Sequence, residues 1–193
     1  RRGISLMILI FFGPPGAGKG TQSNLIANYF NIPHLSTGDI LRNKLLEKDD
    51  LSKTIKVMMD KGQLVSDEIL NEIVSNRIDN QDCLKGFILD GYPRTKDQAL
   101  FFNSTLESKN LSITKIFDIN VDKNIIIKRI KSRSTIENRQ DDKVKVIQTR
   151  ISQYLHETKP LSDFYKNQNF SNYCIINGDQ KIEKIKADII KIL

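Results

Sequence analysis

The densest concentration of chemistry lies near the start of the chain, in Gly13-Pro-Pro-Gly16-Ala17-Gly18-Lys19-Gly20-Thr21. Glycines at this spacing let consecutive backbone N–H groups converge on phosphate oxygens. A helix beginning at the end of the loop adds positive potential, and a lysine supplies a point charge for the outer phosphates of a nucleoside triphosphate. The strict pattern places Ser or Thr directly after the lysine. Here Gly20 intervenes before Thr21, so direct contact between a loop hydroxyl and magnesium is not expected. The competing reading is a plain Gly/Pro-rich turn, and the strand and helix signals on its two sides argue against it.

Other residues carry weaker signals. Arg129 and Arg133 are spaced i, i+4, with Lys128 and Lys131 beside them. Like charges at that spacing destabilise a helix unless an anion lies between them, the alternative being a solvated basic face. Asp90 ends an apolar run, where a carboxylate packs poorly. It could hold the hydration shell of magnesium or simply turn the chain before Gly91. Asp141 and Asp142 read as hinge or lid contacts, with an N-cap pair opening the helix from Asp142 as the close alternative. His34 and His156 have no carboxylate or cysteine at ligand or triad spacing, so packing or surface roles are expected for both. Tyr92 reads as a wall residue, and Cys83 and Cys174 as ordinary reduced thiols.

Positioning these groups requires a scaffold, and its signals alternate along the chain. Strands are expected at Leu6–Phe12, Pro33–Leu35, Gly86–Asp90, Ile113–Asn120 and Tyr173–Ile176. Helices are expected at Lys19–Phe30, Thr37–Lys48, Leu51–Lys61, Asp67–Asn80, Lys96–Ser108, Lys123–Ser132, Asp142–Lys159 and Lys181–Ile192. Short apolar strands alternating with amphipathic helices imply an α/β fold with a parallel sheet between two helical layers. The helix-only run from Thr37 to Asn80 and the polar segment from Ser132 to Asp142 interrupt that rhythm, as moving parts over a site do.

Composition narrows the class. The 193 residues suit one domain, and 39% hydrophobic with 27% charged residues excludes disorder and a multi-span membrane protein. Two cysteines exclude a disulfide scaffold and a four-cysteine zinc site. The net charge of +7 suits a polyanion, but no long basic block appears, and a basic stripe with interleaved aromatics is lacking, so nucleic acid is not the expected partner. Arg1-Arg2 before an apolar run resembles a signal peptide. The run is shorter than the ~20 residues of a membrane span, and a phosphate loop rather than a cleavage site follows it. It is read as a core strand, with Met7 as the natural start, residues 1–6 as an extension, and a cytoplasmic location.

GPPGAGKGTQ at Gly13–Gln22 resembles the adenylate kinase family of nucleoside monophosphate kinases. Further motifs follow in that family's order: HLSTGDILR at His34–Arg42, KGQLVSDE at Lys61–Glu68 and GFILDGYPRTKDQA at Gly86–Ala99. The basic helix, RQDD at Arg139–Asp142, RISQYLHETKPL at Arg150–Leu161 and NGDQ at Asn177–Gln180 complete the set. The likeness spans the chain from Met7 onward.

That resemblance implies a P-loop three-layer fold with a five-stranded parallel sheet. Its core would comprise 7–35, 66–131 and 143–193, with an NMP-binding insertion at 36–65 and a short lid at 132–142. It also implies reversible, magnesium-dependent phosphoryl transfer from ATP to AMP, giving two ADP and maintaining the adenine nucleotide pool. Gly16, Ala17, Gly18, Lys19, Gly20, Thr21, Arg129, Arg133 and Gln180 would bind ATP. Thr37, Arg42, Gln63, Leu64, Val65, Gly91, Tyr92, Pro93, Arg94, Gln98, Arg139 and Arg150 would bind AMP, with the Gln98 amide offered to adenine N1 and the 6-amino group. Lys19, Arg94, Arg133, Arg139 and Arg150 would be catalytic, with Asp90 holding Mg2+ through water. The short segment between Arg133 and Arg139 resembles the lid form that lacks zinc. Val144 and Lys145 stand where acidic residues are frequent, without a functional reading. A monomer without membrane or nucleic-acid partners is expected. The same-class alternative is a UMP/CMP kinase, and a non-catalytic nucleotide switch is the rival of another class.

Overall fold

A computed structural model describes residues 6–137, 144–167 and 171–193, with backbone alone at 131, 133–137, 144 and 145. The segment Met7–Phe12 (β1) is apolar throughout, and all but its first residue are buried. It lies at the centre of a five-stranded sheet with His34–Ser36 (β2), Gly86–Asp90 (β3), Lys115–Asn120 (β4) and Tyr173–Asn177 (β5), in the order β2-β3-β1-β4-β5. Every pairing is parallel, with Phe11 opposite Asp90 and Phe12 opposite Asp118.

Alternate residues of β1 feed two cores. Ile8, Ile10 and Phe12 pack with Ile55 of Asp50–Asp60 (α3), Leu70 and Val74 of Asp67–Ile78 (α4), Phe102 of Lys96–Ser108 (α5), and Leu161 and Tyr165 of Lys159–Asn167 (α8). Leu9 and Phe11 pack on the other face with Ile26 of Lys19–Phe30 (α1), Ile126 and Ile130 of Lys123–Glu137 (α6), and Ile185 and Ile189 of Ile182–Ile192 (α9). Each fully buried apolar side chain stabilises the fold by about 1.5–3 kcal/mol. The two-sided burial explains why the strands read as continuous apolar runs. The parallel arrangement puts every strand's carboxyl end on one edge, where α/β sheets bind ligands.

Between β2 and α4 lie Thr37–Lys44 (α2), a 3-10 turn at Leu45–Glu47, and α3. Both helices begin with a side-chain cap: Ser36 accepts from Asp39 N, and Asp49 accepts from Ser52 N.

Several boundaries differ from the sequence reading. The basic helix continues to Glu137 instead of ending at Ser132, since no Gly or Pro interrupts it. A 3-10 turn at Gln81–Lys85 was not expected. The helix expected to end at Lys159 instead runs as Val144–Gln153 (α7), a π segment at Tyr154–Thr158, and α8. Pro160 is the second residue of α8, directly after the π segment, and the helix runs on through it. Among the described residues no helix is long and apolar enough to cross a membrane.

Candidate functional site

Gly16 and Gly18 both adopt left-handed conformations, with φ of 83° and 93°. They turn the chain from β1 into α1, and Gly18 is the N-cap of that helix with no side chain to cap it. The first N–H groups of α1 are therefore presented toward the strand ends. Ala17 N bonds to Pro14 O at 3.1 Å, closing the loop. Lys19 Nζ folds back to donate to Gly13 O at 2.7 Å and Pro14 O at 3.0 Å.

A cleft of about 950 Å³ opens over this loop. Its lining includes Gly16 to Thr21, Arg42, Asp90, Gly91, Arg94, Arg129 and Arg150. The geometry thus converges six cations (Lys19, Arg42, Arg94, Lys128, Arg129 and Arg150) and two carboxylates, Asp39 and Asp90, drawn from distant parts of the chain. Pre-placed donors of this kind suit a polyanion and a developing phosphoryl charge.

Asp90 closes β3 and points into the cleft. Burial alone would raise its pKa, yet the hydrogen bond from His34 and the charges of Lys19 and Arg94 outweigh it and hold the carboxyl below its ordinary value. The sequence reading gave His34 no carboxylate partner. The structure corrects this: His34 Nε2 lies 3.3 Å from Asp90 Oδ2, because β2 and β3 are adjacent and in register at Ser36 and Asp90.

Arg129 bridges two loops, donating to Ala17 O at 3.3 Å and to Gly178 O at 2.8 Å. It thereby ties the phosphate loop to the segment after β5. Gln180 is turned elsewhere, with its amide donating to Asn177 O and Asp188 Oδ2 at 2.9 and 3.2 Å.

The acceptor-side residues form a second group. Arg42, on α2, pairs with Asp39 and faces the cleft. Gly91, at φ 81°, makes the turn after β3, and its carbonyl accepts from Thr37 Oγ1 at 2.9 Å and Arg94 Nε at 2.7 Å. A Cβ on Gly91 would lie 2.7 Å from Thr37 Oγ1. Leu64 and Pro93 line a smaller adjoining pocket of about 70 Å³ with Arg94 and Arg150. Val65, Thr37, Tyr92 and Gln98 are all at most 3% exposed. Burial pushes the Tyr92 hydroxyl up, and it donates to Asn71 Oδ1 at 2.6 Å. Gln63 is exposed, and its N–H donates to Met58 O at 3.0 Å.

The amide of Gln98 is engaged by the protein. Its Oε1 accepts from Arg94 N at 2.7 Å, and its Nε2 donates to Asp67 Oδ1 at 2.7 Å. Asp67 and Thr158, which donates to Arg94 O at 3.2 Å, were not singled out from the sequence. Nothing local marks them, since their partners lie on other elements. Arg139, Asp141 and Asp142 lie outside the described residues, as does the side chain of Arg133.

Comparison with known proteins agrees with this geometry. The family profile described as adenylate kinase matches residues 11–170. Proteins named adenylate kinase from Brucella abortus (strain S19) and Brucella melitensis biotype 2 are each 45% identical over 193 residues, covering 97% of this chain and 98% of theirs. The protein of that name from Brucella ovis is similar to the same extent. A glycine loop opening α1 beneath a cleft rimmed by arginines, matched to that family along almost the whole chain, gives the conclusion that this chain belongs to the adenylate kinase family.

Proposed function

We propose that the cleft holds ATP over the phosphate loop and AMP on the α2 side, with their phosphates meeting between Lys19 and Arg94. The family reaction itself is reversible phosphoryl transfer from ATP to AMP, giving two ADP, and the chain is a nucleotide-binding transferase of that class. Neither the family profile nor these relatives support the UMP/CMP alternative. The observation that carries the site reading is the convergence of Lys19, Arg42, Arg94, Arg129 and Arg150 on one cleft.

In this reading the N–H groups from Gly16 to Thr21 cradle the ATP phosphates. Lys19 exchanges its bonds to Gly13 and Pro14 for phosphate oxygens. Arg129 holds the loop and the Gly178 segment together along the ATP side, with Arg133 and Gln180 completing it. Arg42 exchanges Asp39 for the AMP phosphate, while Thr37, Gly91 and Arg94 shape the turn that receives it. Gln63, Leu64, Val65, Tyr92 and Pro93 wall the pocket, and Gln98 reads the base. The insertion at 36–65 closes on AMP. The lid at 132–142 closes on ATP, bringing Arg133, Arg139 and Arg150 onto the transferring group and excluding water. Little covalent chemistry falls to the protein; it positions two anions and neutralises the charge between them.

Asp90 suits a magnesium ion brought in with ATP. It is a single ionised carboxylate facing the phosphate loop, and magnesium commonly binds through one or two carboxylates together with substrate phosphates and retained waters. When bound, the ion neutralises charge on the donor phosphates; Asp90 orients its water shell. Both halves of the cleft come from one chain, which fits a monomer, and the free thiols Cys83 and Cys174 fit a reducing compartment such as the cytoplasm.

The test incubates the protein with Mg-ATP and, separately, AMP, UMP, CMP or GMP, resolving all nucleotides by anion exchange. ADP formed in twofold ratio to AMP consumed, with AMP alone, is the expected result. UDP or CDP formation would move the acceptor pocket to pyrimidines, and ATP binding without transfer would leave only the nucleotide-switch reading.

A further inference from the structure

Gln98 sits in a network with a direction. Its Oε1 accepts from the Arg94 backbone N–H, which can only donate. Its Nε2 donates to Asp67 Oδ1, which when ionised can only accept. The second oxygen of Asp67 accepts from Thr95 Oγ1 at 2.8 Å, and that hydroxyl in turn accepts from Gln98 N at 3.2 Å. Rotating the amide by half a turn would set oxygen against the Asp67 carboxylate and N–H against N–H at Arg94. One orientation is therefore held from both sides, and Gln98 is 0% exposed, so solvent plays no part in choosing it.

A side-chain amide has two donor hydrogens and two acceptor lone pairs. The network uses one of each and leaves one of each. On the reading that Gln98 contacts the acceptor base, this remaining donor and acceptor are what a bound base would meet. With the amide fixed, the edge matches a base that presents an amino group beside an unprotonated ring nitrogen, as adenine does. A 6-oxo purine or a 4-oxo pyrimidine presents the reverse pattern and is matched only by the rotated amide.

Resting on the reading that Gln98 contacts the acceptor base, we infer that Asp67 is a specificity-determining positioning residue, whose carboxylate locks the Gln98 amide and so selects amino-bearing over oxo-bearing acceptor nucleotides. Asp67 also lies in the first turn of α4, where a carboxylate favours the helix on its own account. A purely structural Asp67 would therefore lower thermal stability when replaced, without altering the choice of base.

The experiment measures kcat/KM for AMP, inosine monophosphate and UMP, with Mg-ATP as donor, in the wild type, Asp67→Ala, Asp67→Asn and Gln98→Ala. Thermal melting is recorded for each. In Asp67→Ala the preference for AMP over inosine monophosphate is expected to fall by ~10-fold or more, while KM for ATP stays within about twofold. Asp67→Asn, with one acceptor oxygen instead of two, is expected to fall between the two and serves if the alanine variant does not fold. Unchanged base preference in both Asp67 variants, with only lowered melting, would overturn the inference. If Gln98→Ala loses the preference while the Asp67 variants keep it, Asp67 alone is excluded. If Gln98→Ala keeps it, the base-reading assignment fails and the role of Asp67 falls with it.

Discussion

The hydroxyl of Thr158 donates to the backbone carbonyl of Arg94 at 3.2 Å, joining the π segment between α7 and α8 to the turn that presents the acceptor-side arginine. Arg94 is thus held at three points: by Thr158 at its carbonyl, by Gln98 at its N–H, and through its own Nε to Gly91 O. Arg150, on α7, lines the cleft just ahead of the same π segment. Extra-residue bulges of this kind recur at functional positions, where they re-aim a helix without ending it.

Thr158→Val removes the hydroxyl and keeps the shape. Thr158 is 8% exposed, and losing one such hydrogen bond is expected to cost about 1 kcal/mol, read from the denaturant midpoint. KM for AMP should rise several-fold with KM for ATP little changed. A larger effect on ATP than on AMP would show that the contact does not serve the acceptor turn.

Lys19→Met tests the phosphate loop. The side chain reaches two loop carbonyls at the edge of the cleft, so circular dichroism and melting should stay close to wild type. Transfer should be abolished or fall on the order of 1000-fold, the scale of removing a donor aimed at a developing charge. Turnover near the wild-type value would take the lysine out of the mechanism.

Gly91→Ala separates backbone strain from chemistry. The residue has φ 81°, and a Cβ would lie 2.8 Å from an Arg94 guanidinium nitrogen as well as close to Thr37. Strain of this type costs about 1–3 kcal/mol, and the displaced arginine should raise KM for AMP. Gly20→Ala is the contrast: its Cβ would meet Asp90 Oδ2 only at 3.4 Å, so the fold should tolerate it. Equal stability of the two variants would mean that the turn relaxes around the methyl group.

The residues most legible in the sequence were those whose partners are local. The phosphate loop, β1 and the start of α1 at Lys19 needed only the glycine spacing and an apolar run. What escaped was set by the order of the strands. His34 and Asp90 meet because β2 lies beside β3, and Asp67 meets Gln98 because α4 lies beside α5. No spacing rule reaches across 56 or 31 residues. Helix ends were missed for a different reason. Polarity after Ser132 suggested a break, but the helix needs no apolar face to continue toward Glu137, and the end expected at Lys159 is passed by way of the π segment into α8.

Cys83 gives a prediction against alkali. It is 2% exposed, and burial pushes its thiol up from 9.0 to about 11, with the Asp82 charge adding to the rise and Arg77 opposing it. Between those values the unfolded chain loses the proton and the folded chain keeps it, so stability falls as pH rises from about 9 to about 11. Cys83→Ala should flatten that slope in denaturant titrations. In the native protein at neutral pH a thiol reagent should modify Cys83 only after unfolding. Rapid modification of Cys83 in the folded enzyme would contradict both expectations.

Asp90→Asn addresses the cation and the acid limit together. The change removes the ionised oxygen that faces the loop while keeping size and a carbonyl acceptor. The free Mg2+ needed for half-maximal turnover should rise by ~10-fold, with nucleotide binding in a chelator little affected. In the same chelator the depressed carboxyl pKa supplies stability that is complete above its ordinary value of 3.8 and is lost as pH falls through the lower folded value. The asparagine variant should lack that part of the acid slope. His34→Ala should lose a smaller share of it, since Lys19 and Arg94 still favour the charged carboxylate. If Asp90→Asn keeps the wild-type magnesium requirement yet loses the acid slope, the carboxylate serves to balance Lys19, His34 and Arg94, and the magnesium assignment at Asp90 is wrong.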